Sequence, residues 1–212
     1  MTTSYLPTCD PERLFLHFGV TLGETVGAGD AVPGSPAPVI RRVNSTSTLE
    51  RQLCLGMLGL VPPWAREVPP EHRPASARDS IDEHATLHAA WRMGRRCVVP
   101  ADAVYEQRWE EGRAVRWRIR RRDGRPMGIA GVWDEWIDPA GFEVVAFAML
   151  TVKARNHPVF RPICTIPGEL PRMVAILKED GYDAWLEGPL LTGRAVLNRD
   201  PSAPLVAEPA PR

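Results

Sequence analysis

The stretch CVVPADAVYEQRWEEGRAVRWRIRRRDGRPMGIAGVWDEWIDPAGFEVVAFAMLT, residues 97–151, decides the fold. Within it Cys97-Val98-Val99, Val104–Gln107, Ala114–Arg121, Met127–Trp136 and Phe142–Thr151 are rich in Val, Ile and aromatic residues, which suit a pleated, half-buried surface. Asp123-Gly124 and Asp138-Pro139-Ala140-Gly141 are turn signals between them. Strand after strand with short turns predicts a β-meander. In Val115-Arg116-Trp117-Arg118-Ile119-Arg120 strict alternation puts Val115, Trp117 and Ile119 on one face and the arginines on the other. A solvated outer face explains that row, and an arginine row facing phosphates is the alternative reading.

Upstream of this region, Ile81–Met93 fits a helix moderately, with Arg92, Arg95 and Arg96 at its C-terminal end, where the dipole favours cations. Leu53–Leu60 reads as a strand interrupted by Gly56 and Gly59, a pattern of bulges or close backbone approach. Residues 21–37 lack periodicity and read as a long loop, after which Pro38-Val39-Ile40 resumes as a strand. Asp10-Pro11-Glu12, followed by Leu14, Phe15 and Phe18 and then Gly19, is a compact helix with an N-cap aspartate, proline at the first position and a glycine stop. Downstream, Met173–Leu177 predicts a strand and Asp180–Leu186 a short helix. The fold class is therefore α+β: a curved or barrel-like, mainly antiparallel sheet with a few flanking helices. One domain spans residues 1–187, and the Pro-rich tail 188–212 is expected to lie over the surface or to be partly ordered.

Composition narrows the function classes. Lys plus Arg and Asp plus Glu number 26 each, so no global charge draws the protein to nucleic acid or membrane, and any polyanion site is a local patch. Only Lys153 and Lys178 are lysines; a GC-rich genome is the favoured explanation of the arginine excess, and planar recognition of phosphates or base edges is the alternative. No apolar run approaches the roughly 18 residues of a membrane span, and Met1–Asp10 lacks the start of a signal peptide, so the expectation is a cytoplasmic protein. Cys9, Cys54, Cys97 and Cys164 are too scattered for zinc or a disulfide framework and read as buried thiols. His17, His72, His84, His88 and His157 form no zincin pattern, so no metal is expected. P-loop, dinucleotide and nucleophile-elbow motifs are absent, and nothing calls for a cofactor.

Glu106 is the sharpest chemical candidate. Tyr105-Glu106-Gln107 follows Pro100-Ala101-Asp102 at a loop-to-strand junction with apolar residues before it, where desolvation would raise a carboxyl pKa toward acid/base use. A surface-facing strand glutamate is the plain alternative. Trp64, Trp133 and Trp136 could stack on bases, or serve as core lids.

Taken in order, Asp10-Pro11-Glu12-Arg13-Leu14, Pro36-Ala37-Pro38-Val39-Ile40-Arg41, Gly59-Leu60-Val61-Pro62-Pro63-Trp64-Ala65, Ala77-Arg78, Arg96-Cys97-Val98-Val99-Pro100-Ala101-Asp102 and Tyr105-Glu106 resemble the SOS-response-associated peptidase family. Gly131-Val132-Trp133-Asp134-Glu135-Trp136, Leu150-Thr151 and Arg172-Met173 continue the match, so the resemblance covers roughly residues 1–187. It implies a β-rich α+β domain that binds single-stranded DNA at abasic sites. It also implies a covalent link through an N-terminal cysteine: the α-amine forms a Schiff base with the ring-opened sugar and the thiol closes a thiazolidine. An α-amine with a pKa of about 7.7–8 keeps an appreciable neutral fraction for that attack.

Departures fall on the reactive positions. Thr2 stands where the family has its cysteine, and Ser76 where it has an asparagine, in Ser76-Ala77-Arg78. The family's histidine before Arg-Met is matched by Leu170 in one alignment and by Cys164 in another. Glu106, Arg78 and Arg172 are retained, with Tyr105 beside the glutamate and Trp64 as a wedge against stacked bases. Catalytic candidates are thus Thr2, Ser76, Glu106 and Cys164, and DNA-binding candidates Trp64, Arg78, Tyr105 and Arg172. A threonine hydroxyl closes only a readily reverting ring, so the implied activity is weakened to reversible Schiff-base chemistry, with strand-cleaving lyase activity open and the family's self-cleavage in question. The competing readings are a non-catalytic single-stranded DNA-binding module and an interaction or regulatory protein without the DNA site.

Overall fold

The computed structural model describes residues 4–21, 27, 29–42, 50–62, 64–66, 74–78, 85–163, 170–197 and 204–210. Among them, eleven strands join in one sheet. The strands are β1 (Ser4–Pro7), β2 (Pro36–Arg42), β3 (Arg51–Leu58), β4 (Ser76–Arg78), β5 (Arg96–Glu110), β6 (Arg113–Arg121), β7 (Met127–Ile137), β8 (Glu143–Lys153), β9 (Arg172–Val174), β10 (Ile176–Leu177) and β11 (Leu205–Pro209). The helices are α1 (Pro11–Phe18), α2 (Ala85–Arg92), α3 (Phe160–Ile163), α4 (Tyr182–Glu187) and α5 (Leu190–Leu197). This is the β-rich α+β class expected.

Pairing runs β10-β7-β8-β3-β2-β5-β6-β11, and β5 also pairs with β7, which closes β5, β7, β8, β3 and β2 into a ring. Most pairs are antiparallel; β3 and β4 run parallel to β8. The ring is not a regular barrel, because two of its junctions are short. β2 meets β5 only at Ile40 and Arg41, and β3 meets β8 only at Met57 and Leu58.

A simple meander does not form. β7 returns to pair with the first half of β5 rather than with β6, and the free edge of β6 is taken by β11 from the C-terminal stretch, Leu205 opposite Arg121 through Pro209 opposite Trp117. An edge covered in this way offers no template for pairing with another chain. The runs Cys97–Val99 and Val104–Gln107 also prove to be one strand. Pro100 is accommodated because it has no N–H to place, and its carbonyl accepts from Thr8 N at 3.0 Å. The expected strand 173–177 divides between β9 on β8 and β10 on β7.

Both faces of the ring are buried. The inner face gathers Tyr5, Val39, Cys97, Val99, Val104, Ile119, Ile129, Phe147 and Met149 with Phe160 of α3. The other face gathers Val98, Ala130, Val132, Ala148 and Leu150 under α1, α2, α4 and α5. Alternation along β5 and β7 therefore sorts apolar side chains between two cores instead of between core and water.

Local signals set α1 as read: Asp10 accepts from Arg13 N at 2.9 Å, and Gly19 caps the end at φ 68°. Leu14 and Phe18 are buried, but Phe15 is 64% exposed, so the apolar stripe is narrower than the sequence implied. Trp185 of α4 donates its indole N–H to Cys97 O at 2.7 Å, fastening the helical layer to β5. Among the described residues, no helix is long and apolar enough to cross a membrane.

Candidate functional site

A one-residue bulge in β5 sets the site. Against β1 the register runs Ser4↔Tyr105, Tyr5↔Val104, Leu6↔Ala103 and then Pro7↔Ala101, leaving Asp102 as the extra residue. Before the bulge the odd positions Cys97, Val99 and Ala101 enter the inner core; after it Val104 does. The extra residue reverses the parity of the strand. Glu106, two residues beyond Val104, consequently turns to the inner face and is 5% exposed. Tyr105 turns outward.

The bulge is anchored by its own side chain. Asp102 Oδ1 accepts from the buried Thr8 hydroxyl at 2.9 Å and from Arg13 Nη2 at 2.9 Å. Arg13 also donates to Gly124 O, so α1, β1, β5 and the β6–β7 turn meet at this carboxylate.

Across β5, Glu106 lies directly opposite Trp117 of β6. Trp117 is half-buried, its Nε1–H donating to Glu110 Oε1 at 3.0 Å, with the Arg108 guanidinium 5.3 Å from its ring centroid. No sequence signal points to Trp117 or Arg108 at the site; alternation gives Trp117 a face but not a neighbour.

The remaining candidates divide between places. Ser76, half-buried, pairs with Met149 of β8 on the inner side, and the Arg78 backbone pairs with Thr151. Arg172 of β9 reaches the same Thr151, its Nε donating to Oγ1 at 3.1 Å and its Nη2 to the carbonyl. Arg78 and Arg172 are thus brought to one residue, a threonine that is 1% exposed. Tyr105 is not brought to Glu106. Its hydroxyl donates to Asp30 at 2.8 Å, and Arg116 lies 3.5 Å from its ring centroid while pairing with the same Asp30. Burial, followed by the bond to Asp30, raises the Tyr105 pKa. Asp30, inside the long loop, had no sequence signal pointing to it.

Trp64 is 69% exposed at a turn held by Trp136, whose Nε1–H donates to Ala65 O at 2.7 Å. His157 uses Nδ1 to accept from Val159 N and Phe160 N, a local cap for α3. Leu170 is exposed. Thr2 and Cys164, the side chain of Arg78, and the expected helix start at 81–84 lie outside the described residues. Among the described residues, no three His, Cys, Asp or Glu side chains stand together as a metal site.

A ring of mixed strands flanked by a few helices makes this a small β-rich α+β domain. Its architecture is shared by an X-ray structure of a Bordetella bronchiseptica protein, 34% identical, with a TM-score of 0.85 covering 99% of this chain and 100% of the other. A Bacteroides thetaiotaomicron structure at 20% identity shares the fold with a TM-score of 0.75, covering 97% of this chain and 90% of that one. The SOS response associated peptidase (SRAP) family matches residues 9–205, and the chain belongs to that family. Among curated relatives it is 26% identical over 135 residues to the abasic site processing protein YoqW of Bacillus subtilis, over 60% of this chain and 54% of that protein. With YoaM of the same organism it is 27% identical over 130 residues, over 60% and 53% respectively. The matched region thus spans about half the length of these relatives.

Proposed function

We propose that this protein acts at abasic sites in single-stranded or gapped DNA, binding the strand against the inner-face site around Glu106 and forming a reversible Schiff base through the α-amine of Thr2 once Met1 is removed. The observation that carries the reading is the inward, desolvated Glu106 one position along β5 from Tyr105, where β1 enters the sheet through Ser4. Two residues of chain span at most about 7 Å, so the Thr2 α-carbon stays within that distance of Ser4 whatever path it takes. The names of the curated relatives agree with the substrate.

In this reading the neutral amine adds to the aldehyde carbon of the ring-opened sugar. The carbonyl oxygen then takes up protons and leaves as water, giving the imine. A carboxyl group held out of bulk water is suited to deliver and remove those protons. The Thr2 hydroxyl can add to the imine carbon, but the resulting ring reopens because oxygen is a weaker trap than a thiolate. Arg78 and Arg172, carried by the two strands that pair with β8 at Thr151, and the exposed Trp64 would serve the phosphates and the stacked bases.

The test is borohydride trapping on abasic single-stranded DNA with loss of Met1 confirmed by mass spectrometry. Wild-type protein should give a reduced covalent adduct, and Glu106→Gln much less. Salt-sensitive binding without any adduct would leave a non-catalytic DNA-binding module. Neither binding nor adduct would leave an interaction protein.

A further inference from the structure

Across the β5–β6 pair, Glu106 and Trp117 leave the sheet from the same face as direct neighbours, with β-carbons about 4.5–5.5 Å apart in such a pair. Moving outward on that face of β5, Glu106 is followed by Arg108 and Glu110, two and four residues on. These side chains hold the indole from two directions: Glu110 fixes Nε1–H, and Arg108 stacks its guanidinium over the ring while reaching the same Glu110 oxygen at 3.5 Å. Arg108 keeps 40% exposure and Trp117 is half-buried, whereas Ile119, one step inward on β6, is fully buried. Ile119 and Trp117 both pack on the inner core, Trp117 at its half-buried margin, so a pinned aromatic ring with a solvent-reaching cation stands beside the carboxylate at the edge of that core. A ring fixed in orientation presents a π-face at low entropic cost, and every base has a π-face to match.

We propose that Trp117 is the stacking platform for the nucleobase adjoining the abasic sugar, and that Arg108 holds the phosphate between that base and the sugar. This rests on the reading that the abasic sugar sits at Glu106. The occupant is a nucleic-acid strand: the Arg108–Glu110 pair at 3.5 Å is solvent-reaching, a contact worth little that a phosphate can replace, and it stands beside an aromatic ring that matches a base.

The experiment measures binding of single strands carrying a tetrahydrofuran abasic analogue flanked by purines or by pyrimidines, for wild type, Trp117→Ala, Trp117→Phe and Arg108→Gln. Borohydride trapping on natural abasic DNA is run in parallel with Glu106→Gln. Wild type should prefer purine flanks, which stack more strongly. Trp117→Ala should bind roughly ten-fold more weakly and lose the preference, and Trp117→Phe should keep it. Arg108→Gln should weaken binding to both strands and lower the slope of log affinity against log salt by about one. Circular dichroism checks folding; if Trp117→Ala fails to fold, retained purine preference in Trp117→Phe together with the reduced salt slope of Arg108→Gln decides in favour, and an unchanged slope decides against. Wild-type affinity and preference in a folded Trp117→Ala, alongside lost trapping in Glu106→Gln, would overturn this proposal and leave the abasic-site reading standing. Wild type that neither binds nor traps would overturn both.

Discussion

Replacing Asp102 by Ala removes the side chain that pins the β5 bulge, and the structure sets the size of the effect. Thr8 is fully buried and its hydroxyl donates to Asp102 at 2.9 Å. Leaving such a donor unsatisfied costs about 1–3 kcal/mol. The ion pair with Arg13 adds less, because Arg13 is 38% exposed and Asp102 25%, and because exposed pairs contribute about 0–1 kcal/mol. Arg13 also keeps its bond to Gly124 O. The expected loss is about 2–3 kcal/mol, or a fall in Tm of about 2–4 °C for each kcal/mol in a chain of this size. Urea titration of the four proteins of a cycle measures it: wild type, Asp102→Ala, Thr8→Val and the double variant. Since Thr8→Val deletes the stranded hydroxyl, the double variant should recover about 1–2 kcal/mol relative to the sum of the singles. Asp102→Ala should also lower the borohydride-trapped adduct, because the bulge turns Glu106 inward. Strict additivity across the cycle, or a single-variant cost below about 0.5 kcal/mol, would refute the assignment of Asp102 as the anchor.

Three further outcomes follow from buried groups. Among the described residues the buried Tyr5 hydroxyl has no hydrogen-bond partner, so Tyr5→Phe should stabilise by about 1 kcal/mol in the same titration, and a destabilised variant would mean that the hydroxyl is in fact satisfied. Burial pushes the thiol of Cys97 well above its ordinary value, with Cys54 adding to the shift, and does the same to the Tyr5 phenol. Their folded-state pKa values are raised, so this stability is fully present below the unfolded thiol value of about 8.5 and is lost as pH rises toward the folded values; denaturant midpoints should fall between pH 8 and 10, less steeply in Cys97→Ala. A β-carbon added at Gly128 would run into the buried Tyr182 ring, which is stacked on Phe18, so Gly128→Ala should cost about 1–3 kcal/mol by thermal melting.

Helix α1 was legible in the sequence because everything that makes it is local: Asp10 caps a donor three residues on, Pro11 starts the first turn and Gly19 ends it at positive φ. Most of the strands between residues 96 and 153 were legible for the same reason, since period-two patterning and turn residues act over a few positions, whereas β11 in the Pro-rich C-terminal stretch was not. The motif blocks placed the chain in its family and marked Glu106, Ser76, Arg78 and Arg172. What Glu106 faces was not legible. Counting alternation through residues 97–106 without a bulge turns Tyr105 inward and Glu106 to the other face; one extra residue at Asp102 reverses this, and Thr8 and Arg13, 94 and 89 residues away in the chain, hold it. Partner choice was equally hidden: β7 joins β5, β11 covers β6, and Trp117 comes to stand across from Glu106, because register between distant segments depends on how two cores close around one ring. Local chemistry wrote the elements and the candidate residues into the chain, and long-range closure of the sheet decided which of those residues face one another.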